Sequence, residues 1–267
     1  MAEAVGDAGG SVLQVGTVVG AAIGSYARAF THLLPMVVVM MAPGILGKFF
    51  EGHEGQGLAI TLALDLGSSL VLCVMTIPAC LVADAVLQKQ PPLSLGEAFE
   101  RSGPGLWRFV GWSLAVAAAT SGIMLVGIGG AVVALASIRG AWSVVSLAIG
   151  ALVAAAAAIL LFRLVVLWSL LGPVVAFEPA REVGRPLSRS AQLVRPQFWS
   201  VVGSWAALWV FSVPGLVLAY VGNASHTPQA TAAYWLGTAC SVLSAPIMWI
   251  GMVAIYRGLR SAGGAGA

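Results

Sequence analysis

The chain has 267 residues, 59% of them hydrophobic and only 9% charged, with a formal net charge of +3 and a mean hydropathy of +0.96. A soluble domain carries roughly 25% charged residues, so this composition excludes a globule solvated on all sides and gives no reason to expect a nucleic-acid partner. Six apolar runs, about 33–50, 58–86, 106–135, 142–177, 198–221 and 232–257, are near or above the roughly 20 residues that cross a bilayer, and all exceed the roughly 10 of a barrel strand. The predicted fold class is all-α, a polytopic membrane protein with six transmembrane helices.

Residues 1–11 hold Glu3 and Asp7 but no Lys or Arg, and no compact apolar run precedes a cleavage site. They read as a flexible N-terminus, not a signal peptide. A single transmembrane domain over 12–260 and a flexible C-terminus, 261–267, complete the organisation. The domain opens on Val12, Val15, Val19, Ile23, Tyr26 and Phe30 at helical spacing, with Arg28 opposite. This pattern predicts a helix in the membrane plane, with Gly16, Gly20 and Gly24 offering a small-residue stripe for close packing. Glu51, His53 and Glu54 in the following loop are the nearest approach to a metal cluster, but they lack a His-x₃-His frame. No metal or other cofactor is expected.

The second run contains Asp65, Ser68, Ser69, Cys73, Pro78 and Cys80, and Asp84 follows. The cysteines have no metal or redox spacing and read as buried, reduced thiols. Next comes "PLSLGEAFERSGPGLWRFVG", residues 92–111, which returns later as "PLSRSAQLVRPQFWSVVG", residues 186–203. With a gap opposite Ser102 and Gly103, eight of eighteen aligned positions are identical. In the first copy Ser94-Leu95-Gly96-Glu97 has capping-box spacing, so a helix should start there. Leu95, Ala98, Phe99 and Leu106 form its apolar side, and Glu97, Glu100 and Arg101 its polar side. In the second copy Leu187, Ala191 and Val194 oppose Arg189 and Arg195. Both segments are predicted to lie in the interface plane.

Each string is preceded by a proline and an acid at matched distances. Pro78 stands six residues before Asp84 and Pro173 five before Glu178, while Asp84 and Glu178 each stand eight before Pro92 and Pro186. With Pro246 marking the last run, the pattern predicts three parallel hairpin repeats, near 12–90, 91–180 and 181–260. Each would be preceded by an interfacial amphipathic helix. Two spans per unit give parallel repeats, where inverted ones would need an odd number.

Basic residues set the orientation. Arg28, Lys89, Arg101, Arg108, Arg181, Arg185, Arg189, Arg195, Arg257 and Arg260 fall on one side under six spans, against Lys48 and Arg139 on the other. Both termini are therefore expected in the cytoplasm. Trp107 and Trp199 should then mark the inner interface. Eleven Arg against two Lys, with abundant Ala, Gly and Val, suit a high-GC bacterial genome and place the chain in a bacterial inner membrane.

Residues 174–193, "VVAFEPAREVGRPLSRSAQL", carry Glu178, Gly184, Leu187, Arg189, Ser190 and Leu193 in an order that resembles the integral membrane domain attached to some bacterial glycerophosphoryl diester phosphodiesterases. The ending, Ile255-Tyr256-Arg257-Gly258-Leu259-Arg260, is similar to that family's as well. Pro186 departs from the small residue usual there. The resemblance implies a stand-alone membrane domain without catalytic residues, because the family's chemistry belongs to a separate soluble barrel of about 250 residues. No phosphate loop, nucleophile elbow or CxxC is present in the sequence.

The expected function is thus a non-catalytic membrane component, a scaffold or partner subunit acting on envelope lipids or other membrane proteins. A channel or permease is the alternative, and a membrane-embedded enzyme using His53, Glu51 and Asp65 a second. Two sets of site residues are expected. Arg181, Arg185, Arg189 and Arg195 would hold anionic lipid or an acidic partner, either another membrane protein or a second copy of this one. Asp65 and Arg163, the two charges clearly inside spans, would form an intramembrane ion pair with Ser68 and Ser69 as polar partners.

Overall fold

The computed structural model describes residues 13–50, 58–138, 144–178, 185–223 and 227–264. Among these residues every regular element is helical: α1 (Val15–Phe50), α2 (Leu58–Leu87), α3 (Leu95–Ile138), α4 (Val144–Trp168), α5 (Leu171–Phe177), α6 (Pro186–Val194), α7 (Phe198–Trp209), α8 (Val213–Asn223) and α9 (Pro228–Gly264). A 3₁₀ turn, Arg195–Gln197, joins α6 to α7. Five segments are long and apolar enough to cross a membrane: Val15–Pro43, Leu66–Leu87, Gly105–Ser137, Val144–Phe177 and Pro228–Ala262. A sixth is available if Pro186–Trp209 and Val213–Asn223, bent by 58°, count as one. This is a helical membrane protein.

The breaks fall where prolines remove backbone donors. Pro173 offers no N–H to the carbonyl of Ser169, and the chain turns at Ser169–Leu170 between α4 and α5. Pro196 closes α6 in the same way, and Pro214 leaves the carbonyl of Val210 without its helical donor at the bend before α8. Pro35, Pro43, Pro78 and Pro246 are carried inside continuous helices.

The start of α3 follows the expected chemistry. Ser94 Oγ accepts from the Glu97 backbone N–H (3.3 Å), and the Glu97 carboxylate accepts from the Ser94 N–H (2.8 Å) and hydroxyl (2.7 Å). These bonds hold the Glu97 carboxyl below the usual carboxylate range, the Ser94 hydroxyl contributing most. Because the folded-state value is depressed, the cap is complete at neutral pH and weakens as pH falls through that value.

Helix α2 ends in a Schellman arrangement, with the Lys89 N–H on the Val86 carbonyl and the Gln90 N–H on the Ala85 carbonyl. Lys89 takes the left-handed position, φ 58°, where glycine is the usual residue. Lys89→Gly should therefore raise stability by about 0.5–1 kcal/mol in a detergent unfolding titration. A loss instead would mean that the Lys89 side chain contributes more than its backbone strain costs.

The expected interfacial helices differ from the structure. Helix α1 is one unbroken rod: Leu13, just before it, packs on Gly258, and Tyr26 donates to the Leu243 carbonyl at 2.7 Å. Its first turns thus run antiparallel beside residues 243–258 of α9 and belong to a segment, Val15–Pro43, long and apolar enough to cross a membrane. Nor is the start of α3 separated from its span, since helix continues from Leu95 to Ile138. Only α6 is set off as a short helix. On α1 the buried face is Val18, Ala22, Ser25, Ala29 and Leu33, while Ile23 is half exposed. A Cβ added at Gly16, Gly20 or Gly24 would meet nothing within 4 Å, so the small-residue stripe makes no close contact.

Packing divides the molecule into a base and arms. The main core joins Leu33, Met36 and Val37 of α1, Val82 and Val86 of α2, Val174 of α5, Val201 of α7, and Ile250, Val253 and Ile255 of α9. Gly172 lets α5 approach Thr76 and Cys80 of α2 and Met252 of α9. Away from this base the helices pack mostly in pairs. Gly130 of α3 meets Gly150 of α4 backbone to backbone, and Gly215 and Gly237 do the same for α8 and α9. The α3–α4 arm is the most peripheral: 6% and 11% of its two apolar windows are buried, against 50% and 44% for those of α2 and α9. Leu125, Val144 and Leu152 project outward from it. An apolar surface of that extent requires a bilayer or a partner to cover it.

Candidate functional site at the base of the bundle

Polar side chains concentrate where α2, α5, α6 and α9 end or begin together. Glu178 caps the end of α5, its backbone N–H still bonded to the Val174 carbonyl, and its side chain is only 7% exposed. Arg189, on the first turn of α6, donates through Nε to Oε2 at 3.2 Å. Tyr256 of α9 donates its hydroxyl to Oε1, also at 3.2 Å, and its ring lies 5.5 Å from that of Phe177. One buried carboxylate therefore ties together α5, α6 and α9.

The next residue along α9 makes a second link. Arg257 pairs through Nε with Oδ1 of Asp84 on α2, and Gln88 donates to Oδ2 at 2.7 Å. Successive residues on a helix point about 100° apart, so Tyr256 and Arg257 reach two different carboxylates. Between these helix ends is a cavity of about 430 Å³, lined by Asp84, Gln88, Phe177, Tyr256, Arg257, Arg260 and Ser261.

Ser190 completes the framework. Its buried hydroxyl donates to the Leu167 carbonyl at 2.7 Å, satisfying a backbone group beside the α4–α5 break. In the Leu-x-Arg-Ser string of 187–190, the Arg binds the end of α5 and the Ser the end of α4. A bent helix exposes two polar loose ends, and adjacent residues of α6 occupy both.

The arginines expected to form one surface have different fates. Arg189 is engaged by Glu178 and is not a free cation. Arg185 and Arg195 are exposed, and Arg181 lies outside the described residues. Glu51, His53 and Glu54 lie outside them too. Among the described residues no group of three or more His, Cys, Asp or Glu side chains could hold a metal.

The intramembrane pair is not among the described contacts. Arg163 is exposed on α4, next to Phe162, whose ring meets Phe198 edge-on at 6.2 Å. It therefore shares the level of Phe198 and Trp199. The Asp65 side chain lies outside the described residues. Ser68 donates to the Leu64 carbonyl of its own helix at 2.9 Å, and Ser69 is exposed but not without a partner.

Asp84, Tyr256 and Arg257 are not among the expected site residues, although the sequence carries a signal for Asp84. Asp84 and Glu178 occupy the same place in the repeat, eight residues before Pro92 and Pro186. At the position of Arg189 the first copy has Leu95, so no arginine stands at the equivalent place beside Asp84. Arg257 of α9 supplies it instead. Compared with known protein families, curated proteins and solved structures, the chain matches none.

Proposed function

We propose that this chain is a non-catalytic scaffold or partner subunit of a bacterial inner membrane. In this reading it makes six crossings in three parallel units, with the base and both termini at the cytoplasmic face. Equivalent positions of the repeated string support the units: Trp107 and Trp199 are 77% and 75% exposed, and Phe109 and Val201 are both buried. The positive-inside count supports the orientation. The likeness of 174–193 to the phosphodiesterase-associated membrane domain supports the absence of chemistry in the chain itself. The Asp65–Arg163 pair remains part of this proposal as a packing contact between units.

The observation that carries the scaffold reading is how the charges of the base are used. Glu178, Arg189, Asp84 and Arg257 are committed to one another across four helices, while the α3–α4 arm leaves its flanks uncovered. A rigid base with an exposed apolar arm suits docking to another membrane protein. A photo-crosslinking amino acid placed at Leu125, Val144 or Leu152 in cells should give discrete protein adducts. Adducts to lipid alone, together with solute flux in proteoliposomes, would replace the scaffold with a permease.

A further inference from the structure

The cavity at the base has the character of a ligand site. Its volume of about 430 Å³ lies within the range of small-molecule pockets, roughly 300–1,000 Å³. Phe177 and Tyr256 form an apolar side. Arg257 and Arg260 bring N–H donors to the same cavity.

The balance of donors and acceptors decides which ligand fits. Asp84 is the one acid in the lining, and both its oxygens are already used, by Arg257 Nε and by Gln88. A cation entering the cavity would have to compete with Arg257 and Gln88 for that carboxylate. Among the described residues Arg257, which lines the cavity, bonds its partner acid through Nε, and no second acid pairs with its two terminal nitrogens. Arg260 is exposed, lies beside the Tyr256 hydroxyl and makes no ion pair among the described residues. Two guanidinium groups against one carboxylate leave a surplus of one positive charge.

Helix C-termini carry partial negative charge and would oppose an anion. That effect fades within the last turn, and α9 continues to Gly264, a full turn beyond Arg260. The final carbonyls of α2 are answered by the Lys89 and Gln90 N–H groups. The guanidinium charges therefore prevail. A planar fork of N–H donors matches the oxygens of a phosphate group.

We infer that this cavity binds a phosphate-bearing anion, a lipid headgroup or a small phosphoester, held by Arg257 and Arg260. The inference rests on the reading of the base as the cytoplasmic face, where anionic headgroups and soluble phosphoesters are both within reach.

Arg260→Gln tests it without touching either ion pair of the base. The full chain in detergent is titrated with phosphatidylglycerol and, separately, with glycerol 3-phosphate, and complexes are counted by native mass spectrometry. A surface arginine near such charge is worth about fivefold in affinity, so the variant should bind about fivefold more weakly. Phosphatidylglycerol held against glycerol 3-phosphate identifies a lipid site, and glycerol 3-phosphate bound without lipid a soluble-ester site. Wild-type affinity of Arg260→Gln for both probes, or no binding of either by the unaltered chain, overturns the inference. Cross-links on the α3–α4 arm do not involve the cavity, so the two readings can fail separately.

Discussion

Replacing Arg189 with alanine should destabilise the protein by about 3 kcal/mol, far more than replacing Arg185. Removing one member of a buried ion pair typically costs about 3–5 kcal/mol, because the remaining charge stays desolvated. Glu178 is the buried member, 7% exposed, whereas Arg189 is 43% exposed, which puts the effect at the low end. Arg185 is exposed and precedes α6, so its loss should stay within about 0.5 kcal/mol. Glu178→Gln keeps an acceptor for Tyr256 while discarding the buried charge, and it should cost less than Arg189→Ala. Adding Glu178→Gln to Arg189→Ala should then recover stability, as expected when the penalty is an orphaned carboxylate. Unfolding in detergent, followed by tryptophan fluorescence, measures all four variants. Equal midpoints for Arg189→Ala and Arg185→Ala would show that the clamp holds nothing.

What could be read in the sequence tracks the physics of each feature. The capping box at Ser94–Glu97 is local, four residues satisfying one another, and it forms as its spacing dictates. The proline breaks are local as well. Helix α1 was misjudged for a reason specific to membranes. The stripe of Val15, Val19 and Ile23 suits a helix lying in the interface plane with that side toward lipid. In a bilayer lipid solvates those residues as well as protein does, and small residues that permit close approach pack instead. Ala22, Ser25 and Ala29 occupy that role here. The clamp was half legible. The matched spacing of Asp84 and Glu178 marked two equivalent acids, but not their partners. Arg189 lies 11 residues from Glu178, while Arg257 lies 173 from Asp84. A contact of that second kind depends on how the hairpins assemble, which no local pattern encodes.

Glycine substitutions should separate the helix contacts that matter from those that merely resemble them. Gly16, Gly20 and Gly24 follow the small-xxx-small spacing, yet a Cβ at any of them meets nothing within 4 Å. Gly20→Ala should therefore be neutral or stabilising, by up to about 1 kcal/mol from helix propensity. Gly150 and Gly237 have no such room. A Cβ at Gly150 would stand 2.6 Å from the Gly130 carbonyl oxygen and 2.7 Å from the Ala134 nitrogen. At Gly237 it would collide with the backbone of Gly215 and Ala219. Overpacking by one methyl usually costs about 1–3 kcal/mol when side chains can yield. Here the obstacles are backbone, so a whole helix must move, and each alanine should cost at least the upper part of that range. The two variants should also differ from each other. Gly150→Ala spreads the peripheral α3–α4 arm, whose α4 joins the core near its far end, at Val166 and Leu167. Gly237→Ala spreads α8 from α9, the helix that carries Tyr256 and Arg257. Disulfide trapping between cysteines placed near the base on α5 and α9 should therefore fall for Gly237→Ala and hold for Gly150→Ala. Unchanged trapping and stability in both variants would mean that the arms pack more loosely than these contacts require.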